Sequence, residues 1–399
     1  MGNSSTAARS YPAQALPKGQ IAILMFMLSF NFISRGIFSP LLPVFEEQFG
    51  VDHGRSSSVF LIISLSMSAS MALSGFVSER LQNRGTLILY EALIGLSLIL
   101  CATSRSFLHL QLGSALLGMS AGLYPPSGAT TVTNLAREEH WGKALGIHEL
   151  GPNIGLISAP LLIGFAVPHV RWETIMVALG LGNWMLGLFY AIRGRGGDVY
   201  GAPPNFKNLR LIFGNRSFWI LALYLILAAS SAMGTYSILP TYLISFRGFD
   251  SQMVNTLVGL SRIGGLAFIF GAGYLVDKFG MRLFIGLILG TTSLFAVALG
   301  LLSGTVLLVT VFFQPMIISA FFPVVNTAVS SITRPETRSL AFSMIIPFAA
   351  GIGAGVTPTV LGILGESGRF PLGFVSLGVL TLASLLLLPM LRVKKKLDR

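Results

Sequence analysis

The sequence predicts an all-α membrane protein, with twelve transmembrane helices in two pseudo-symmetric six-helix bundles. Three observations predict it. Hydrophobic residues make up 53% of the chain and charged residues 11%, against about 25% charged in a soluble domain. The polar material to wet a globular surface is missing. The apolar residues also gather in twelve runs of the length that crosses a bilayer, about 20 residues each. Finally, the charged turn GFVSERLQNR at Gly75–Arg84 returns as GYLVDKFGMR at Gly273–Arg282, 273 − 75 = 198 residues later in a chain of 399. An echo at half the chain length marks an internal duplication.

The elements follow in order. Residues 1–17, rich in Ser, Ala and Pro, read as a disordered tail and not a cleaved signal peptide. The apolar runs fall at 20–45, 56–78, 85–104, 108–134, 143–167, 172–192, 217–243, 252–276, 282–302, 304–330, 339–364 and 370–391. Gly and Pro inside them are tolerable where helices bundle in lipid, because neighbours satisfy freed carbonyls and small residues allow close approach. Residues 193–216, with Gly-Ala-Pro-Pro and five bases, form a linker between an N-terminal bundle at 18–192 and a C-terminal bundle at 217–391; a basic tail closes the chain at 392–399. Six spans per copy keep both copies in one orientation, related by an axis along the membrane normal. The 198-residue offset also pairs Pro125 with Pro323, Glu138 with Glu336, Gly155 with Gly353, Pro160 with Pro358, Arg171 with Arg369 and Gly180 with Gly378.

Lys and Arg crowd one set of connections: Arg80 and Arg84, Arg137 and Lys143, the linker, Lys278 and Arg282, Arg334 and Arg338, and the C-terminal tail. The other set carries Arg55, Arg105, Arg171, Arg247 and Arg369. The bias puts both termini in the cytoplasm of a multi-pass plasma-membrane protein, the inner membrane in a bacterium. The net charge of +12 then suits loops beside an anionic leaflet and not nucleic acid. The single Cys101 excludes an internal disulfide and a thiolate metal site. No metal-ligand spacing, phosphate-cradling loop or nucleophile–base pair is present, so neither an enzyme nor a cofactor is expected.

Ionisable groups inside spans are costly, at about 2.5–3.5 kcal/mol for a central Arg, and mark function by default. Here they are Arg35, Glu91, His148, Glu149 and Arg262. Arg35 lies 35 − 18 = 17 residues beyond Lys18, ~25 Å along a helix. Arg262 lies 277 − 262 = 15 residues before Asp277, ~22 Å from the same side. Two arginines from opposite copies therefore sit at comparable depth. Glu149 is close to the cytoplasmic edge of span five, beside His148, whose imidazole titrates near neutrality.

Twelve spans, two parallel halves, a basic central loop and the G-x-x-x-D-R-x-G-R-R turn after span two resemble the major facilitator superfamily over nearly all of residues 18–395. The first turn departs from the pattern at Glu79, Gln82 and Asn83, and the second at Met281. The resemblance implies a monomeric secondary transporter working by alternating access. It makes Gly75, Glu79, Arg80, Arg84, Gly273, Asp277, Lys278 and Arg282 a cytoplasmic gate. Spans one and eight border the central cavity in that fold, so Arg35 and Arg262 become a pair gripping one small organic anion. Arg suits this task, being permanently charged and bidentate toward carboxylate. Asn31, Tyr124, Asn153, Tyr236, Gln314 and Asn326 are further candidates to line the cavity. His148 and Glu149 are the candidates to carry a coupling proton.

A drug-exporter reading rests on Gly151, Gly155, Pro160 and Gly164 in span five, but Ser114 stands where those exporters carry an Arg in span four. A transporter-like sensor or a lipid-handling protein is the alternative of another class. An anion transporter uses both intramembrane arginines and is the preferred expectation.

Overall fold

The computed structural model describes residues 16–201, 212–265, 268, 276, 278, 280–333 and 335–392. Among these residues the chain is helical throughout, with no extended strand. Nine described helices are long and apolar enough to cross a membrane, and one of them, α3 at His53–Ala102, is 50 residues long. It is two helices that meet at a kink at Gln82, where φ is 59° and ψ 169°. That kink is the first charged turn. The eighth expected run is described as a helix over Ser251–Leu260 (α10), and the second charged turn lies largely outside the described residues, Gly273 and Asp277 among them.

The other elements, in order, are α1 (Lys18–Gly36), α2 (Phe38–Phe49), α4 (Phe107–Leu135), α5 (Trp141–His148), α6 (Leu150–Ala166), α7 (Trp172–Arg193), α8 (Arg216–Ala229), α9 (Thr235–Thr241), α11 (Met281–Leu301), α12 (Gly304–Ser319), α13 (Phe321–Ile332), α14 (Pro335–Phe348), α15 (Thr357–Glu366) and α16 (Phe370–Ser384). π-turns at Ser230–Gly234, Tyr242–Phe246 and Ala349–Val356 join several of them into longer rods.

The backbone repeats at the same 198-residue offset as the sequence. Asp52 caps α3 by accepting the Arg55 N–H, and Asp250 caps α10 by accepting the Met253 N–H. Gly50 and Gly248, two residues before each cap, both have positive φ, at 59° and 73°. Gly180 on α7 packs on the Gly95 carbonyl, and Gly378 on α16 packs on the Ser293 carbonyl. Gln82 and Gly280 hold the same turn, at φ 59° and 82°. In this region of φ only glycine is free of strain, so the first copy carries a side chain where the second carries none.

Prolines decide where the rods meet. A proline lacks the N–H that would bond the carbonyl four residues earlier, and its ring crowds that carbonyl. Pro125 frees the Ala121 carbonyl, which accepts from Asn31 Nδ2 at 3.3 Å. Pro160 frees the Leu156 carbonyl, which accepts from the Tyr236 hydroxyl at 3.0 Å. Pro240 frees the Tyr236 carbonyl, which accepts from Ser39 Oγ at 2.9 Å. Pro152 acts on His148 in the same way, and the helix breaks there between α5 and α6.

Candidate functional site

The N-terminal and C-terminal parts of the chain meet through a series of hydrogen bonds and close glycine contacts. At the end where Asp52 lies, Glu366 Oε1 of α15 accepts the Gly54 N–H at 2.7 Å. Deeper in, Thr359 donates to the Ser57 carbonyl at 3.2 Å and Ser68 to the Pro347 carbonyl at 3.0 Å. Gly362 packs so tightly on α3 that a Cβ there would lie 2.2 Å from Ser57 Oγ and 2.6 Å from the His53 carbonyl oxygen. With the two Tyr236 bonds, these contacts seal the molecule from the Asp52 end to about its middle.

Both intramembrane arginines sit just beneath this seal. The Arg35 Nε donates to Asn31 Oδ1 at 3.0 Å, its Nη1 approaches Met67 Sδ at 3.1 Å, and its guanidinium lies 4.5 Å from the centre of the Phe32 ring. Arg262 is buried, donates from Nη2 to the Ala232 carbonyl at 2.7 Å, and lies 4.6 Å from the centre of the Tyr236 ring. Its Nε has no hydrogen-bond partner among the described residues. Tyr236 links the two arginines: its ring lies under Arg262, and its hydroxyl comes within 3.8 Å of where a Cβ on Gly36, the neighbour of Arg35, would stand. Among the described residues neither arginine has a carboxylate within ion-pair distance.

The C-terminal side of this site is shaped by the π-turn at Ser230–Gly234. Such a turn releases carbonyls from the helical ladder. Ala232 gives its carbonyl to Arg262, and Ser231 gives its carbonyl to Gln314 Nε2 at 2.7 Å. Asn31 has the matching task on α1, where it ties α4 and orients Arg35. Asn31, Tyr236 and Gln314 therefore gather around the arginines. Asn326 is exposed on α13 and makes no such contact, and Asn153 donates to the Glu149 carbonyl at 3.3 Å.

Tyr124 is fully buried and belongs to a different cluster. Its hydroxyl lies 2.6 Å from the Leu24 carbonyl and 2.9 Å from His148 Nε2, and its ring is parallel to the imidazole. A carbonyl only accepts, so the single phenolic proton goes to Leu24. The His148 Nε2 must then carry a hydrogen and donate it to Tyr124. His148 Nδ1 in turn faces Glu149 Oε1 at 3.3 Å. His148 Nδ1 makes no hydrogen bond among the described residues. His148 is buried while the Glu149 side chain is exposed. The helix break made by Pro152 brings together two adjacent residues that a regular helix would point about 100° apart.

At the charged turns, Arg84 Nη2 donates to the Ala191 carbonyl at 2.8 Å and Nη1 pairs with Asp198 at 3.5 Å. Asn83 and Arg84 also donate their backbone N–H groups to the Val199 and Gly197 carbonyls. Arg282 donates to the Leu391 carbonyl in the corresponding place. Both arginines thus tie the turn to the last helix of their own part of the chain. Gly75 is half-buried and accepts from Ser78 Oγ, while Glu79, Arg80 and Lys278 are exposed.

A family model described as the Major Facilitator Superfamily matches residues 24–309 and 247–399. The chain belongs to this superfamily. Its members are transporters, not enzymes, and the chain is accordingly a multi-pass membrane protein. The probable sulfoacetate transporter SauU of Cupriavidus necator is 23% identical over 419 residues, 94% of each chain. The putative multidrug resistance protein MdtD of Pectobacterium atrosepticum is 23% identical over 276 residues, 64% of this chain but only 58% of that relative's length. The fold is shared with the nucleoside transporter NupG (TM-score 0.78, 14% identity, 93% of this chain and 99% of that one). It is shared too with an inward-facing, unoccupied bacterial homologue of the lysosomal transporter Spinster (TM-score 0.73, 15% identity, 94% and 95%).

Sequence reasoning missed Ser39, Phe32, Met67, Gly54 and Glu366. The signal for Ser39 was available: each freed carbonyl stands four residues before a proline.

Proposed function

We propose that this protein is a secondary transporter that moves a short organic carboxylate by alternating access, coupled to protons. The observation that carries the anion is the two guanidinium groups, Arg35 over Phe32 and Arg262 over Tyr236, neither with a carboxylate partner among the described residues. Uncompensated buried cations are expensive, and an anion shared between them offsets that cost. Arg35 and Arg262 would each take one end of the ligand, with Asn31 and Gln314 holding the flanking backbone. The resemblance to SauU, named for sulfoacetate, supports a small anion with a charge at each end.

The bodies that move would be 18–192 and 217–391, joined by the linker at 193–216. With the basic end in the cytoplasm, the contacts at the Asp52 end support an inward-open state. The contact between buried His148 and exposed Glu149 supports coupling, since it joins an imidazole to a carboxyl group that reaches the surface. The multidrug reading draws on MdtD; Ser114, buried and bonded to the Leu110 carbonyl, leaves it without an arginine in α4.

The test is uptake into proteoliposomes of sulfoacetate, small carboxylates, phosphate esters and cationic dyes, with and without a pH gradient. Arg35→Ala and Arg262→Ala are each expected to abolish anion uptake. Normal uptake by both variants would sink the site, and movement of dyes without anions would favour the exporter.

A further inference from the structure

One ionisable group in the membrane is used by none of this. Glu91 lies on α3, next to Tyr90, and is fully buried. Both carboxyl oxygens lack a hydrogen-bond partner among the described residues. A carboxylate there would be a bare anion in an apolar wall, which costs far more than neutralising it. Glu91 therefore carries a proton in this conformation. Even as an acid its O–H donates to nothing described, a loss of hydrogen bonding that a purely structural residue would not need.

The surroundings confirm that no salt bridge was intended. Glu91 faces α7 across Gly187, where a Cβ would meet the Glu91 Cβ at 2.7 Å, so glycine makes room for the carboxyl. From α7, Trp184 spends its indole N–H on the Ala92 carbonyl, and Tyr190 is buried. From α4 comes Tyr124. From α1, Arg35 acts on Tyr90. The Arg84–Asp198 pair lies on the Tyr190 side and Glu149 on the Tyr124 side. The Tyr90 and Tyr124 rings stand 5.0 Å apart, and Tyr124 leads through His148 to exposed Glu149. A buried acid thus sits near the inner end of a polar chain that starts at solvent.

We propose that Glu91 is a second proton-binding site of the transport cycle, separate from the His148–Glu149 pair, loaded in the inward-open state and emptied when the Asp52 end opens. The step is proton binding and release alone, with no bond made or broken elsewhere. It rests on the proton-coupled reading above.

The test uses the full chain in lipid vesicles at neutral pH. Infrared spectra should show the carbonyl stretch of a protonated carboxyl without hydrogen bonds. That band should vanish in Glu91→Gln and weaken in Gly362→Ala, which crowds the seal. In transport, with sulfoacetate as the probe, Glu91→Gln should keep exchange but drop gradient-driven accumulation to the gradient-free level. If Glu91→Gln does not insert, Glu91→Leu, which removes the buried polar group, replaces it. Absence of the band in the wild type overturns the proposal. So does a band equally strong in Gly362→Ala when spin labels show the seal open, a band removed by sodium at fixed pH, or gradient-driven accumulation that survives in Glu91→Gln. If the wild type carries no sulfoacetate, the substrate assignment fails while the infrared band still decides Glu91.

Discussion

Gly362→Ala tests the two-state reading directly. The added methyl would lie 2.2 Å from Ser57 Oγ, which can rotate, and 2.6 Å from the His53 carbonyl oxygen, which is backbone and cannot. Forcing a methyl into such a contact costs about 1–3 kcal/mol. The clash exists only where α15 presses on α3, so the cost falls on the sealed state alone. A differential of 1–3 kcal/mol shifts a two-state ratio by about 5- to 150-fold toward the state open at the Asp52 end. Spin labels on exposed Arg55 and Ser367, one on each side of the seal, measure the ratio by their distance distribution. Gly142→Ala, where a Cβ meets nothing within 4 Å, is the control. An unchanged distribution in Gly362→Ala would refute the seal as a working interface. A lower thermal stability with no change in distance would show that the two parts do not separate there.

The other predictions are local. Gln82→Gly relieves a backbone conformation worth about 1–3 kcal/mol, less the entropy glycine gains when unfolded, so a net gain of about 1 kcal/mol is expected; Gly280→Gln should lose a similar amount. Cys101, buried and alone in the sequence, reports both when a thiol-reactive dye follows thermal unfolding. Tyr124→Phe removes the acceptor that fixes the His148 tautomer, and gradient-driven accumulation is expected to fall while exchange persists. Asp52→Ala should cost about 1 kcal/mol as a lost helix cap. The Arg55 N–H holds the Asp52 carboxyl below the usual carboxylate range, so the cap contributes above that range and is lost as pH falls through the lowered value. The wild type should therefore approach the Asp52→Ala variant in thermal stability only in strong acid.

The sequence alone determined the solvent and the repeat. Composition settled the membrane, because a chain with 11% charged residues cannot wet a globular surface. A fixed offset of 198 settled the duplication, and it holds in places not noticed from sequence, such as the caps Asp52 and Asp250. The arginines declared themselves through the expense of burying them. Which side chains would meet was not legible. Arg84 and Arg282 bind the ends of their own bundles, and Tyr124 serves a histidine, because such contacts depend on helix rotation and kink angle, which hydropathy does not encode. The carbonyls freed by Pro125, Pro160 and Pro240 show the reason. A proline announces that an acceptor is free, but only packing decides which distant donor, Asn31, Tyr236 or Ser39, arrives to use it.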